Sequence, residues 1–475
     1  MTFPWPETPP TRAHREAFSD AIVHPYWLDA LPPRDPQPAL ERAVETDLCI
    51  VGGGFTGLWA ALHAKADDPA RDVVVLEAEA VGFGASGRNG GFAHGSLTHG
   101  IENGLARFAE EMPRLARLSG ENFAGFVADI ERLGIECDLE LAGDLGVALE
   151  PHEVGWLQES AELLGEYGHE HELLDEAAVR AEVASPTYLA GLWDKTDAAL
   201  VDPGKLSVGL AEAALAAGVR IHERTRATGI EDDGASVRVR TEAGRVRAPR
   251  VLLATSAYPP LLRAIRRYVV PVYDYALMTE PLSPAQRESI GWRRRQGVGD
   301  CANRFHYYRP TQDWRILWGG YEAVYRYGGP VRPDLDDDGP MFAKLSQHFF
   351  TTFPQLEGVR FTHRWGGAID TCSRFSVFFG TAHRGRVVYA VGYTGLGVVS
   401  TRFGARVALD LLDGRETEAT HLRYVRSKPV PFPPEPLRSG VVQLTRNRLA
   451  AADRNAGRRG LWLRTLDRLG LGFDS

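Results

Sequence analysis

From Thr46 onward, short wholly apolar runs alternate with stretches in which apolar residues recur every three or four positions. Asp47-Leu48-Cys49-Ile50-Val51 and Val73-Val74-Val75-Leu76-Glu77 have the length and composition of strands buried on both faces of a parallel sheet. Between them a glycine cluster runs into the helix-forming Leu58–Ala64, so this part of the chain predicts a βαβ unit. Residues 105–190 read as mostly helical, with amphipathic spacing over Leu105–Leu118, Ala124–Leu133 and Val154–Leu164. A second α/β stretch opens near Pro203 with a helix around Leu206–Ala217. Val237–Thr241 then alternates like a half-exposed strand, turns at Glu242-Ala243-Gly244, and returns through Arg245–Ala248 into the buried strand Val251–Thr255. Residues 265–355 predict further sheet with aromatic-rich strands. Val387–Val391 is a last core strand before a glycine-rich turn and the helix Phe403–Leu412.

The two ends depart from this pattern. Residues 1–44 hold nine of the thirty prolines and no sustained periodicity, which predicts an arm over the surface anchored by His24–Leu28. From His421 onward there are eleven Lys/Arg and four Asp/Glu, a balance of +7 that leaves −15 on the rest of a chain whose net charge is −8. A basic helix near Val442–Arg459, packed on an acidic body, is the favoured reading over an acidic partner or a membrane surface.

Composition narrows the function classes. At 475 residues the chain has room for two or three domains. With 44% hydrophobic and 24% charged residues it is an ordinary soluble globular protein. The mild acidity argues against nucleic acid, and no run approaches the ~18 apolar residues of a membrane span. The start resembles no signal peptide, so a cytoplasmic protein without a membrane partner is expected. Four cysteines without a C-x-x-C pair predict neither a disulfide framework nor a zinc site. The oligomeric state is not legible. Glycine is in surplus, and sixteen of the fifty fall within 52–57, 82–104 and 392–404.

Those clusters carry the candidate chemistry. Gly52, Gly54 and Gly57 form a G-x-G-x-x-G set between strand and helix, with Phe55 and Thr56 opening the helix and Glu77 twenty residues beyond Gly57. Such a turn permits close backbone approach to a pyrophosphate at a helix N-terminus, and the acidic residue accepts hydrogen bonds from a ribose. The set does not by itself separate NAD from FAD. The loop Gly82–Phe92, with donors Ser86, Arg88 and Asn89 among Gly87, Gly90 and Gly91, needs backbone near something flat or charged. Gly392, Thr394, Gly395, Leu396 and Gly397 precede a second helix start, which suits a second negative region on one extended ligand. A two-ended ligand fits FAD.

With these residues in view the sequence resembles the flavoprotein amine and amino-acid oxidase family, which includes D-amino-acid, glycine and sarcosine oxidases, and within it the γ-glutamylputrescine oxidase branch. The likeness runs through Asp47–Gly57, Val73–Gly91, Val251–Tyr258, His306–Gly320, Trp365-Gly366-Gly367 and Gly392–Gly397. It implies a mixed α/β fold, with a discontinuous Rossmann-type FAD domain (45–104, 196–262 and 360–420) interleaved with a mixed-sheet substrate domain (105–195 and 263–359). The resemblance assigns Glu77 to the ribose, Ser86, Arg88 and Asn89 to the diphosphate and flavin edge, and Ala227 to the adenine. Thr255 and Ser256, which end the matching Val251 strand, join the cofactor set. Gly395, Leu396 and Gly397 are assigned to the flavin N1/O2 region.

The sequence also departs from the family. Where glycine and D-amino-acid oxidases hold the substrate carboxylate with arginine, the matching position is Ile369, followed by Asp370; where sarcosine oxidase has lysine, it is Val399. Arg402 is one turn further on. This implies a substrate without an α-carboxylate, an amine whose charge lies away from the reacting carbon. Asp370 either attracts a distal ammonium or caps a turn. Cys372, His94 and His99 are the positions to weigh for covalent flavin attachment, and noncovalent FAD is favoured. In Phe305–Pro310 alternation puts Tyr308 and His306 on one face and Tyr307 and Arg309 on the other, and one pair faces the substrate. Tyr308, His306, Arg309 and Asp370 are the candidate catalytic residues; Tyr273 and Tyr275 carry the same two-face ambiguity. The expected reaction is hydride transfer from an amine carbon to FAD, imine hydrolysis, and reoxidation by O₂. An amino-acid oxidase or dehydrogenase, an NAD(P)-dependent dehydrogenase and a noncatalytic subunit that keeps FAD for structure are the alternatives.

Overall fold

The computed structural model describes residues 4–6 and 8–471, so the extreme ends of the expected arm and tail lie outside the described residues. The apolar runs do become parallel strands. One sheet is ordered Arg220–His222, Val73–Leu76, Leu48–Val51, Arg250–Leu253, Val387–Val391 and Phe378–Ala382, with only the last strand antiparallel to its neighbour. All four residues of Leu48–Val51 and of Val73–Leu76 are buried, which is why neither strand alternates in sequence. The helices Phe55–Asp67, Pro203–Ala216 and Ser400–Asp413 join this sheet in one apolar core. Because five strands run in parallel, Gly52–Gly57, Glu77, Ala254–Ser256 and Gly392–Gly397 all leave the same edge of the sheet. That shared edge gathers ligand-binding loops in open α/β sheets.

The hairpin Val237–Thr241/Arg245–Ala248 is extended by Ala227–Asp232 on one side and by Ala43–Glu45, in parallel, on the other. A nine-stranded mixed sheet stands apart, ordered Ile22–Val23, Phe361–Thr371, Val270–Thr279, Ile316–Gly320, His306–Pro310, Gly297–Asp300, Asp144–Ala148, Ala190–Asp194 and His171–Leu174. Helix Gly339–Thr352 covers one of its faces through Phe342, Leu345 and Phe349.

Several sequence expectations change here. The stretch 339–352, read as sheet, is a helix, because a helix buried on most sides has no polar stripe to betray its period. Strand Phe361–Thr371, grouped by sequence with the cofactor segments, pairs along its length with Val270–Thr279 in the nine-stranded sheet. Helix Met112–Arg132 is continuous where two helices were expected, and its Leu115, Phe123, Phe126 and Ile130 pack in the core of the six-stranded sheet. The region 105–190 also carries the strands Asp144–Ala148 and His171–Leu174. The N-terminal arm contains short helices and is pinned by buried Trp5 as well as Trp27. After the short helix Arg423–Arg426, the tail forms two longer helices, Leu437–Asp453 and Leu461–Arg468, where one was expected.

Candidate active site

Between the shared edge and the nine-stranded sheet lies one continuous cavity of about 1440 Å³. Its floor begins at the first glycine turn. Gly52 has φ +116°, and a Cβ on Gly57 would overlap the Gly52 carbonyl oxygen, so helix Phe55–Asp67 can start this close to the strand only without a side chain there. The helix has no side-chain cap from its N-cap Gly54 and opens onto the cavity. Glu77 accepts hydrogen bonds from the Gly53 N–H at 2.7 Å and the Glu79 N–H at 2.9 Å, and burial pushes its carboxyl up from the usual range. Ala227, Thr255 and Ser256 line the same end.

The second glycine loop is braced by the protein itself. Ser86 Oγ accepts from the Phe55 N–H at 2.9 Å. Asn89 donates to the carbonyls of Ala85 (3.0 Å) and Ser86 (2.9 Å) and accepts from the Gly91 N–H (2.8 Å). Arg88 donates to the Phe83 carbonyl and pairs with Asp336 at 2.6 Å. Two indoles, Trp27 and Trp365, hold the carbonyls of Asn89 and Arg88, each at 2.9 Å. Ser86, Arg88, Asn89 and Gly90 thus form cavity wall, while the side-chain donors of Arg88 and Asn89 are engaged inside the fold. Gly87 packs on Leu28, and Gly91 lies against the Val201 carbonyl and Arg309.

The third loop closes the far end. Thr394, Gly395, Leu396 and Gly397 line the cavity; Gly395 has φ +93° and open space where a Cβ would point. Behind the loop, Gly392 packs on Phe378 and Cys372. Thr56 Oγ1 donates to Tyr393 Oη at 3.0 Å, tying the first glycine motif to the last across 337 positions of sequence. The carboxylate of Asp370 accepts from the Gly392 N–H at 2.7 Å and is raised by burial to about 6. Asp370 is therefore the cap of this turn and is not free to hold a substrate ammonium.

The candidate catalytic residues need correction. Tyr308 and His306 point into the core on the sheet's other face. Tyr308 Oη sits 2.6 Å from Tyr188 Oη, and His306 lies between Asp300 (2.8 Å) and His348 (3.0 Å). Arg309 is on the cavity-side face but is fully enclosed, donating to the carbonyls of Val201 (2.6 Å) and Gly91 (3.3 Å) beneath the Trp27 ring. Tyr273 and Tyr275 belong to the core as well, their hydroxyls on the carbonyls of Arg332 and Leu335, and Tyr275 also borders the cavity.

Of the strand His306–Pro310, the residue presented to the cavity is Tyr307. Its cross-strand partners are Gly299 and Gly319, and a Cβ on Gly319 or Gly90 would crowd its ring, so glycines on three sides make its seat. Tyr307 Oη donates to Asp274 Oδ2 at 2.6 Å, and Asp274 also accepts from the Tyr275 N–H at 2.8 Å. Burial raises the Asp274 carboxyl to about 6. Sequence reasoning left Tyr307 as one of two faces and missed Asp274, although alternation in Val272-Tyr273-Asp274-Tyr275 sets it opposite Tyr273.

The remaining departures also find their places. Val399 is buried in the core, and Arg402 turns away to Asp129 at 2.8 Å. Cys372 is buried, its thiol raised by desolvation and directed at the carbonyls of Ser376 and Gly392. His94 and His99 lie on the cavity wall; burial lowers His99 to about 4 and keeps it neutral.

The donor set fits FAD: a helix start with glycine at its N-cap that opens onto the cavity, a buried acid beside the adjacent strand end, and a second glycine turn opening into the same cavity. Comparison with known proteins agrees. Residues 47–411 match the DAO family model, described as FAD dependent oxidoreductase. The chain is 35% identical over 390 residues to γ-glutamylputrescine oxidoreductase of Escherichia coli K12, covering 80% of this chain and 86% of that protein. It is 30% identical over 402 residues to the probable oxidoreductase OrdL of Haemophilus influenzae, covering 82% and 88%. The glycine oxidase structure from Geobacillus kaustophilus superposes with a TM-score of 0.66 over 79% of this chain and 96% of its own, at 21% identity, which is a likeness of fold. FAD, the cofactor expected of the glycine turns, is the one the family uses in place of the NAD(P) alternative, and the chain belongs to the DAO family as an FAD-dependent oxidoreductase of the amine- and amino-acid-oxidising type.

Proposed function

We propose that the protein oxidises the C–N bond of a primary or secondary amine whose reacting carbon bears no carboxylate. The observation that carries this reading is that Ile369 and Val399 stand at the two positions where a carboxylate-holding cation is expected, while Arg402 is held by Asp129. The 35% identity to an oxidoreductase named for γ-glutamylputrescine supports an amine of that general kind. The six-stranded sheet and its helices make up the Rossmann-type cofactor domain in this reading, and the nine-stranded sheet the substrate domain. Glu77 and Ala227 would hold the adenosine end, the start of helix Phe55–Asp67 the diphosphate, and Gly395–Gly397 the flavin, without a covalent bond.

When bound, FAD supplies the two-electron acceptor for a hydride leaving the carbon next to nitrogen. Orientation falls to the chain's own residues. Tyr307 presents its ring and hydroxyl from the sheet, Asp274 fixes that hydroxyl, and the apolar wall of Val270, Val272, Ala276 and Trp365 keeps water from the amine. The amine loses one N–H proton and a hydride to become an imine, which water converts to a carbonyl and either ammonia, from a primary amine, or a free amine, from a secondary one. Dioxygen is the proposed final acceptor.

The test is anaerobic mixing of the FAD-loaded protein with polyamines, N-methylated amines, glycine, sarcosine and D-amino acids. Flavin absorbance near 450 nm should bleach fastest with an amine lacking an α-carboxylate and return on admission of air. Faster bleaching by any of the amino acids would overturn the substrate class, and a flavin that no compound bleaches would overturn the activity.

A further inference from the structure

The C-terminal tail lies beyond the family match, which ends at residue 411. Its longest helix, Leu437–Asp453, turns Val441, Val442, Thr445 and Leu449 toward the cavity. Arg446 pairs with Glu322 at 2.9 Å, while Asp453 accepts from Asn303 and pairs with Arg304 at 3.2 Å. The helix is thus fastened to the body through one face.

Its outer face is unlike the rest of the surface. Leu437 is 65% exposed, and at the two ends of the second helix Leu461 and the C-cap Leu469 are 75% and 64% exposed. Val430 and Leu444 join them; Tyr327, beside Glu435, and Trp156, against Gly457, stand at the rim. Of the eleven large apolar side chains exposed among the described residues, five lie in this tail, which from His421 onward is 55 of the 475 residues, and two more stand at its rim. Singly scattered exposed leucines need no explanation, but a concentration of them does. Interleaved with them, Arg448, Arg458, Arg464 and Arg468 project into solvent.

Leucines and arginines on paired helices, with tryptophan and tyrosine at the margin, match the chemistry of the lipid–water interface. A second copy would set like charges face to face, and a polyanion such as nucleic acid would make no use of the leucines. No helix among the described residues is long and apolar enough to cross a membrane, so the contact would lie along its surface. We propose that the C-terminal helical pair docks the protein on an anionic phospholipid surface, leucines entering the interface and arginines meeting the phosphates, with the cavity wall directly behind.

Co-sedimentation of the full-length FAD-loaded protein with vesicles tests this. Vesicles of 30% phosphatidylglycerol in phosphatidylcholine should bind about tenfold more protein than pure phosphatidylcholine, with most of that advantage lost in 0.5 M salt. A Leu461→Ser/Leu469→Ser variant, unchanged in charge, should bind at least fivefold less, as should Arg458→Glu/Arg464→Glu/Arg468→Glu, both keeping wild-type flavin content and melting temperature. No binding to the anionic vesicles would overturn the proposal, as would leucine variants that bind like wild type. So would a dimer in solution that the leucine variants dissociate, since the patch would then be covered by a second copy.

Discussion

At the scale of single residues, the cavity face of the nine-stranded sheet rests on one phenol and one carboxylate. Tyr307 Oη and Asp274 Oδ2 are 2.6 Å apart, and removing either partner has a different consequence. Tyr307→Phe leaves a buried carboxylate short of a donor, which should cost about 1–3 kcal/mol of stability and about tenfold in kcat/KM. Asp274→Asn keeps an acceptor for the phenol while removing the buried charge. The sign of its pH effect follows from the raised carboxyl, about 6 folded against 3.8 as the ordinary value. Between those values the unfolded chain binds fewer protons than the folded one, so this group's contribution to stability falls as pH rises and is wholly unfavourable by pH 7. Asp274→Asn should therefore gain stability relative to wild type on going from pH 4 to pH 7, by about 1–3 kcal/mol. Urea unfolding of both proteins at the two pH values checks it, and a constant difference would refute it.

At the scale of elements, helix Phe55–Asp67 depends on one missing side chain. Gly57→Ala would drive a Cβ into the Gly52 carbonyl, a backbone atom that cannot move aside, so helix and strand must separate. The expected result is a loss of about 3 kcal/mol and a protein purified with far less FAD; flavin-to-protein ratio and thermal unfolding measure both. This element was legible in sequence because its requirement is local: close backbone approach needs glycine at fixed offsets from a strand. The cavity wall opposite was not. Whether Tyr307 or Tyr308 faces the ligand is set by pairing with Gly299 and Gly319, which are distant in sequence from the glycine turns and carry no motif. Helix Gly339–Thr352 was hidden for a related reason. Its Phe342, Leu345 and Phe349 meet the sheet while much of its remaining surface is buried too, so its aromatic content imitated a core strand.

At the scale of the whole molecule, the cavity is assembled from segments that no single stretch of chain could bring together. Residues 52–57, 77, 225–228, 254–256 and 393–398 meet because their strands are parallel, and the Thr56–Tyr393 hydrogen bond closes the ring at the protein's own expense. A ligand that touches all of them binds the folded chain alone, so it must stabilise the fold by mass action, about 2.7 kcal/mol when its free concentration is a hundred times its Kd. Stripping FAD should lower the melting temperature by several degrees, and added FAD should restore it in proportion to the logarithm of its concentration. The loosening should be uneven. Hydrogen exchange should rise most in Gly82–Phe92 and Gly392–Gly397, whose backbone faces the cavity, and little in Leu48–Val51 and Val73–Leu76, which are buried with or without a ligand. NADH in place of FAD should leave both the melting temperature and the exchange pattern of the stripped protein unchanged. Uniform exchange across the loops and strands would mean that the cavity is held open by the apoprotein alone, and that the glycine turns contribute access to the cofactor without depending on it for order.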